Sequence, residues 1–237
     1  MDYVHVTERL AEIEEKIAAA CLRSGRKQED ITLLAVTKFH PVEAVLSAHK
    51  AGLRTFGENR VQEALEKYND PRLQPLRGAI SLHLLGHLQS NKANKALSLF
   101  DCIESADSME LVELLGKKTG VENKKIGLCF ELHTGEASKS GFSSELELRK
   151  ALERALAFPG LRVLGLMTMA PYTQDFGKVR ASFRQCAGLY EQLKLEYQLD
   201  DFSVLSMGMS NDYEIAVEEG ATLLRIGTAL FGERVYE

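Results

Sequence analysis

Eight short apolar runs alternate with helical patterns along this chain, and that alternation limits the folds open to it more than any other feature. The runs are ITLLAVTK (31–38), LRTFGE (53–58), SLHLLGH (81–87), DCIESA (101–106), KKIGLCFEL (124–132), LRVLGLMTM (161–169), FSVLSMG (202–208) and TLLRIGT (222–228). Each run but the last leads into a segment with apolar residues at three- and four-residue spacing. A further helix precedes the first run, with Val6, Leu10, Ile13 and Ile17 on one face. Strand-helix alternation favours parallel strands, because a parallel pair needs a crossover connection. Eight such units in 237 residues point to an α/β fold, a single (β/α)8 TIM barrel with an extra N-terminal helix. An open doubly wound sheet is the rival, and no GxGxxG follows the first run to support it. No Pro/Gly/Ser-rich linker interrupts the rhythm, so residues 1–237 read as one domain, with 1–27 as a helix packed on the barrel.

The helix boundaries carry their own signals. Pro41 stands in the first turn of a helix that ends near Gly52. Ser108 opens another that Gly120 closes. Asn211 and Glu214 read as a variant capping box.

Composition removes several function classes. A net charge of −5 argues against general nucleic-acid binding. The four cysteines, Cys21, Cys102, Cys129 and Cys186, form no CxxC pair and give neither a zinc pattern nor a disulfide framework. Met1–Ala20 is charged throughout, without an apolar signal core. The apolar stretch VLGLMTMAP is far short of a membrane span. The expectation is a cytoplasmic protein with reduced, buried thiols and no metal.

In a barrel of this kind, chemistry collects at the C-terminal ends of the strands. The first run ends on Lys38, the second on Glu58 and Asn59, the sixth near Met167, and the seventh in SMGMSN. The eighth contains Arg225, Gly227 and Thr228. Loops after the last two strands commonly hold phosphate. Ser210 and Thr228 supply hydroxyls there, and Gly227 leaves room for a ligand. Taken alone, Ser210 or Asn211 reads equally well as a helix cap. By strand alternation Arg225 points inward, which requires either a carboxylate on a neighbouring strand or a ligand atom. Lys38 is open to two readings. Its stem can lie on apolar surface with its amine in solvent, or a partly desolvated amine can attack a carbonyl. Lysine, phosphate site and inward arginine are together the parts that pyridoxal phosphate (PLP) binding needs. His83 and His87 lie four apart on a strand without the HExxH glutamate, and read as packing or loop residues. Met167, Met169, Met207 and Met209 read as core and gap-filling residues near the pocket.

The segments AVTK, FGENRVQEA, HLLGHLQSNK, GEASKSGF, GLMTMAPY and LSMGMSNDYEIAVEEGATLLRIGTALFGER together resemble the pyridoxal phosphate homeostasis proteins, from about residue 3 to the C-terminus. The resemblance implies a fold-type III PLP-binding barrel like the N-terminal domain of alanine racemase. It implies that Lys38 forms the covalent internal aldimine, that Ser210, Gly227 and Thr228 hold the phosphate, and that Arg225 faces the pyridine nitrogen. Asn59 and Met167 would lie beside the cofactor. The implied function is intracellular PLP homeostasis without clear catalysis, in a monomer that passes PLP to apo PLP-dependent enzymes. The alternative is a PLP-dependent amino-acid racemase or decarboxylase. A two-base racemase needs a second acid-base group on the opposite cofactor face, which racemases take from an added β domain, and eight units leave no residues for one here. A sugar-phosphate barrel enzyme would share the phosphate loops but not the dependence on Lys38.

Overall fold

The computed structural model describes residues 3–135 and 140–233. Part of the GEASKSGF segment, Glu136 to Lys139, lies outside the described residues, as do residues 234–237. Eight strands pair in sequence order, and β1 (Thr32–Val36) also pairs in parallel with β8 (Leu223–Ile226), so the sheet closes. The intervening strands are β2 (Thr55–Glu58), β3 (Ser81–Leu84), β4 (Cys102–Ala106), β5 (Ile126–Glu131), β6 (Leu161–Met167) and β7 (Val204–Ser206). All eight fall within the predicted runs. The outer layer comprises α2 (Val42–Lys50), α3 (Val61–Tyr68), α4 (Ala93–Leu99), α5 (Met109–Glu122), α6 (Glu145–Leu156), α7 (Phe176–Glu196), α8 (Tyr213–Glu218) and α9 (Thr228–Phe231).

Two apolar regions follow from this closure. The larger lies between sheet and helices and includes Phe56, Leu82, Leu128, Phe183 and Leu224. Inside the barrel are two small clusters, Leu34–Val36–Leu223 and Cys102–Cys129–Met167. Glycine allows the strands to approach at one point: a Cβ on Gly165 would lie only 1.6 Å from the Val204 carbonyl oxygen on β7.

The leading helix α1 (Val6–Ser24) buries Val6, Leu10, Ile13 and Ile17 as its spacing predicted, and packs on α8 and α9. Arg23 pairs with Glu218 at 2.6 Å and Glu214 at 3.1 Å, and Arg26 donates to the carbonyls of Val217 and Ala221. The helix thereby braces the part of the barrel that carries the β7 and β8 loops.

Some helix ends differ from the sequence reading. Ser108 does cap α5, accepting from the Leu111 amide, but Gly120 lies inside the helix. Asn123 terminates it in the left-handed region at φ 48°, a conformation Asn tolerates better than most residues. Pro41 is the N-cap of α2 rather than a first-turn residue. The capping box at Asn211 is not formed: α8 starts at Tyr213 behind Asp212. The proline-containing segment before β3 is a short 3-10 helix, Gln74–Ala79. All four cysteines are buried and unbonded. Among the described residues, no helix is long and apolar enough to cross a membrane, and no group of three or more His, Cys, Asp or Glu side chains is placed to hold a metal ion.

Candidate functional site

A cleft of about 310 Å³ opens at the C-terminal ends of the strands, at the lower end of the range for small-molecule sites. All seven residues singled out from the sequence line it: Lys38, Asn59, Met167, Ser210, Arg225, Gly227 and Thr228. Val36, Leu85 and Met169 add apolar wall, and Tyr172 and Phe176 stand at the mouth. Tyr172 is 95% exposed.

Lys38 lies two residues beyond the end of β1 and is half-buried. Its neighbours in the chain are clamped. Lys67 on α3 is buried, and its Nζ donates to the Thr37 carbonyl at 2.7 Å and to Glu58 Oε1 at 2.6 Å. The Thr37 hydroxyl donates to the same Glu58 oxygen at 2.7 Å. On the other side of Lys38, the Phe39 amide donates to Glu63, which also pairs with Lys67 at 3.3 Å. Phe39 takes φ 63°, an uncommon conformation for a bulky side chain that needs such support. Burial pushes the Glu58 carboxyl up, against the Lys67 charge and the hydrogen bonds from Lys67 and Thr37. The strand end carrying the lysine is therefore fastened on both sides by side chains from β2 and α3.

Arg225 is 5% exposed. The neighbouring-strand carboxylate expected as one possible partner is not in direct contact with it. Its Nη1 donates to Ser206 Oγ on β7 and its Nη2 to the Thr168 carbonyl, both at 2.7 Å. A carboxylate lies one bond further on, where the Ser206 hydroxyl donates to Glu104 Oε2 on β4. Glu104 Oε1 is 2.6 Å from His83 Nδ1, and His83 Nε2 is 3.0 Å from Ser81 Oγ. Burial alone would raise the Glu104 carboxyl. The hydrogen bond and charge of His83, the Arg225 charge and the Ser206 hydroxyl reverse this and hold it below the usual value. Burial works to lower His83, but Cys102 and Glu104 outweigh it and raise the imidazole to about 9. His83 thus belongs to a buried charge array, while His87 sits apart on the rim, 2.6 Å from Asp107.

The β7 and β8 loops meet across Ser210, whose Oγ accepts from the Ala229 amide at 3.0 Å. Ser210 therefore ties two loops together and does not cap α8. Asp212 Oδ1 accepts from the Met209 amide in the turn before α8, and its carboxyl is raised chiefly by burial. A Cβ on Gly227 would meet only Val36, at 3.5 Å, which is ordinary contact. Packing within the chain thus does not demand glycine there, and the space beside it belongs to the cleft. His40 also lines the cleft and was not foreseen. Its ring packs between Tyr3 and Phe231, with Nδ1 3.1 Å from the Tyr3 hydroxyl.

Glu104, Ser206 and the Glu58–Lys67 pair were not singled out from the sequence. One signal was available for Glu104. It shares a strand face with Cys102, by alternation, in a run otherwise fit for burial, so an inward arginine and an inward carboxylate could have been matched.

The geometry is that of a barrel with one lysine-bearing strand end facing two hydroxyl-bearing loops. Residues 9–235 match the family model for the alanine racemase N-terminal domain. Solved alanine racemases share the fold at low identity: the Clostridium difficile enzyme has a TM-score of 0.72 at 14% identity, with 98% of this chain and 57% of that chain covered. Closer similarity is to smaller proteins. The pyridoxal phosphate homeostasis protein of Aquifex aeolicus is 39% identical over 234 residues, covering 98% of this chain and all of that protein. That of Escherichia coli is 36% identical over 232 residues, covering 98% and 97%. The structure of PipY from Synechococcus elongatus with PLP bound has a TM-score of 0.81 at 37% identity, covering 96% and 100%. Fold and cleft define the class as barrels of the alanine racemase N-terminal type. Within that class, the chain belongs to the pyridoxal phosphate homeostasis protein family.

Proposed function

We propose that this protein binds pyridoxal phosphate in the strand-end cleft, holds it covalently as a Schiff base on Lys38, and serves to store and hand on the cofactor in the cell rather than to turn over a substrate. The observation that carries this reading is the convergence of Lys38, Arg225, Ser210, Gly227 and Thr228 on one cleft of suitable size. The donor set fits the group: an amine for an aldehyde, hydroxyls for a phosphate, a guanidinium for a ring acceptor and an apolar wall from Met167 and Val36 for a flat ring. Glycine at position 227 leaves the space a side chain would fill. When bound, the cofactor supplies an electrophilic carbon that exchanges between amines, which is the property a store or carrier uses.

Each residue has a task in this reading. Lys38 offers its amine from a strand end that the Lys67 clamp immobilises. Ser210 and Thr228 donate hydroxyl hydrogens to phosphate oxygens, and Ser210 keeps its lone pair on the Ala229 amide. Asn59 and Met167 bound the ring. Arg225 faces the ring nitrogen. A guanidinium keeps its proton throughout the accessible pH range, so it donates a hydrogen bond and does not protonate the ring. An unprotonated ring is a weaker electron sink, which supports holding over catalysis.

The test is reconstitution with PLP. The wild-type protein is expected to turn yellow and Lys38→Ala to stay colourless, and the loaded wild type is expected to activate an apo PLP enzyme in a transfer assay. A colourless wild type refutes cofactor binding. Turnover of an amino acid far above the rate with free PLP refutes the non-catalytic role.

A further inference from the structure

The barrel interior holds an array of charge that lies behind the cleft. Ser81, His83, Glu104, Ser206 and Arg225 form a continuous hydrogen-bonded chain across β3, β4, β7 and β8. Glu104 is fully buried and His83 nearly so. A buried carboxylate is costly, and an apolar replacement of similar volume often stabilises a core as well or better. Several neighbouring interior positions are apolar, Leu34, Val36, Cys102 and Cys129, and Glu131 on β5 is a further buried carboxylate, held by the Ser140 hydroxyl. The pairing of β4 with β5 shifts register between Ile103 and Ala106, the stretch that holds Glu104 and Ser105. Such irregularities re-aim side chains and concentrate beside functional sites. Of the five members, Arg225 alone lines the cleft.

We propose that Glu104 is a positioning residue for the cofactor: acting through Ser206, it fixes the plane of the Arg225 guanidinium so that the fork presents a hydrogen to the ring nitrogen of pyridoxal phosphate. This rests on the cofactor reading above. The guanidinium is planar and rigid, so anchoring its two terminal nitrogens on Ser206 and the Thr168 carbonyl sets its orientation. The Ser206 anchor depends on Glu104. A carboxylate only accepts, so the Ser206 hydrogen must point at Glu104, and its lone pairs are left for Arg225. His83 occupies the other carboxylate oxygen and favours the ionised form of Glu104. Without that acceptor the serine hydroxyl is free to rotate, and the guanidinium loses one of its two anchors.

The test compares wild type, Glu104→Leu, which removes the acceptor at similar volume, and Ser206→Ala. Each is titrated with PLP and with its 1-deaza analogue, in which carbon replaces the ring nitrogen, and the melting temperature of cofactor-free protein is measured alongside. Both variants are expected to bind PLP about tenfold more weakly than wild type and to shift its visible absorption band. Toward the deaza analogue they are expected to match wild type. Ser206→Ala removes only one oxygen and guards against a folding failure of Glu104→Leu. Equal losses toward both compounds, or unchanged PLP affinity and spectrum, overturn the positioning role. A wild type that binds neither compound overturns the cofactor reading itself and this role with it, a result distinguishable from indifferent variants.

Discussion

Replacing Lys67 with methionine isolates the clamp beside Lys38. Methionine keeps most of the side-chain volume, so packing loss is small. What disappears is the cation that donates to Glu58, Glu63 and the Thr37 carbonyl. Glu58 stays buried, with only the Thr37 hydroxyl as partner, and its carboxyl, already raised by burial, rises further. The cheapest escape is protonation. From an unfolded carboxyl pKa of about 4.3, taking up a proton at pH 7 costs up to about 3.7 kcal/mol at 1.36 kcal/mol per unit. At pH 5 the same step costs about 1 kcal/mol. The sign follows from linkage: a folded carboxyl raised above its unfolded value binds extra protons, so the variant loses stability as pH rises from the unfolded pKa toward the raised one. Denaturant unfolding of cofactor-free protein at the two pH values is the assay. Lys67→Met is expected to lose about 3 kcal/mol relative to wild type at pH 7 and about a third of that at pH 5. An equal loss at both values would refute the reasoning, since it would mean that Glu58 carries no charge to strand.

Other substitutions separate cleft from core. Gly227→Ala adds a Cβ that makes only ordinary contact with Val36, so the cofactor-free melting temperature should hold while PLP affinity, measured by titration, falls about tenfold, on the order of 1.4 kcal/mol. Ser210→Ala strands the Ala229 amide and should cost about 1 kcal/mol in denaturant unfolding, together with weaker PLP binding. Gly165→Ala forces a Cβ into the Val204 carbonyl and should destabilise by at least about 1–3 kcal/mol, seen as a lower melting temperature whether or not cofactor is present.

The barrel and the cleft were legible because their signals are local. Each strand is a short apolar run, and the end of a run marks the rim, so Lys38, Asn59 and the two hydroxyl loops fell at the site by position alone. Helix ends were less legible. Gly120 looked like a stop, yet the chain continues one turn to Asn123, because the left-handed residue that ends a helix can be Asn as well as Gly. Ser210 looked like a cap, but α8 begins three residues on, behind Asp212, and the Ser210 hydroxyl instead accepts from the Ala229 amide after β8. The buried networks were least legible. Glu104 meets Ser206 across 102 positions of sequence, and Lys67 meets Thr37 across 30. Such pairs are defined by strand register, including a shift between Ile103 and Ala106, and no local pattern encodes it. The direct partners of Arg225 eluded the sequence for the same reason: one of them is the Thr168 main-chain carbonyl, which any residue would supply.

Attachment of the cofactor to Lys38 is the claim on which the rest depends. Its most direct test is borohydride reduction of the PLP-loaded protein, followed by proteolysis and mass mapping of the modified lysine. The account predicts one dominant phosphopyridoxyl adduct on the peptide containing Lys38, absent from Lys38→Ala. An adduct spread over surface lysines, with the Lys38 peptide unmodified, would contradict it.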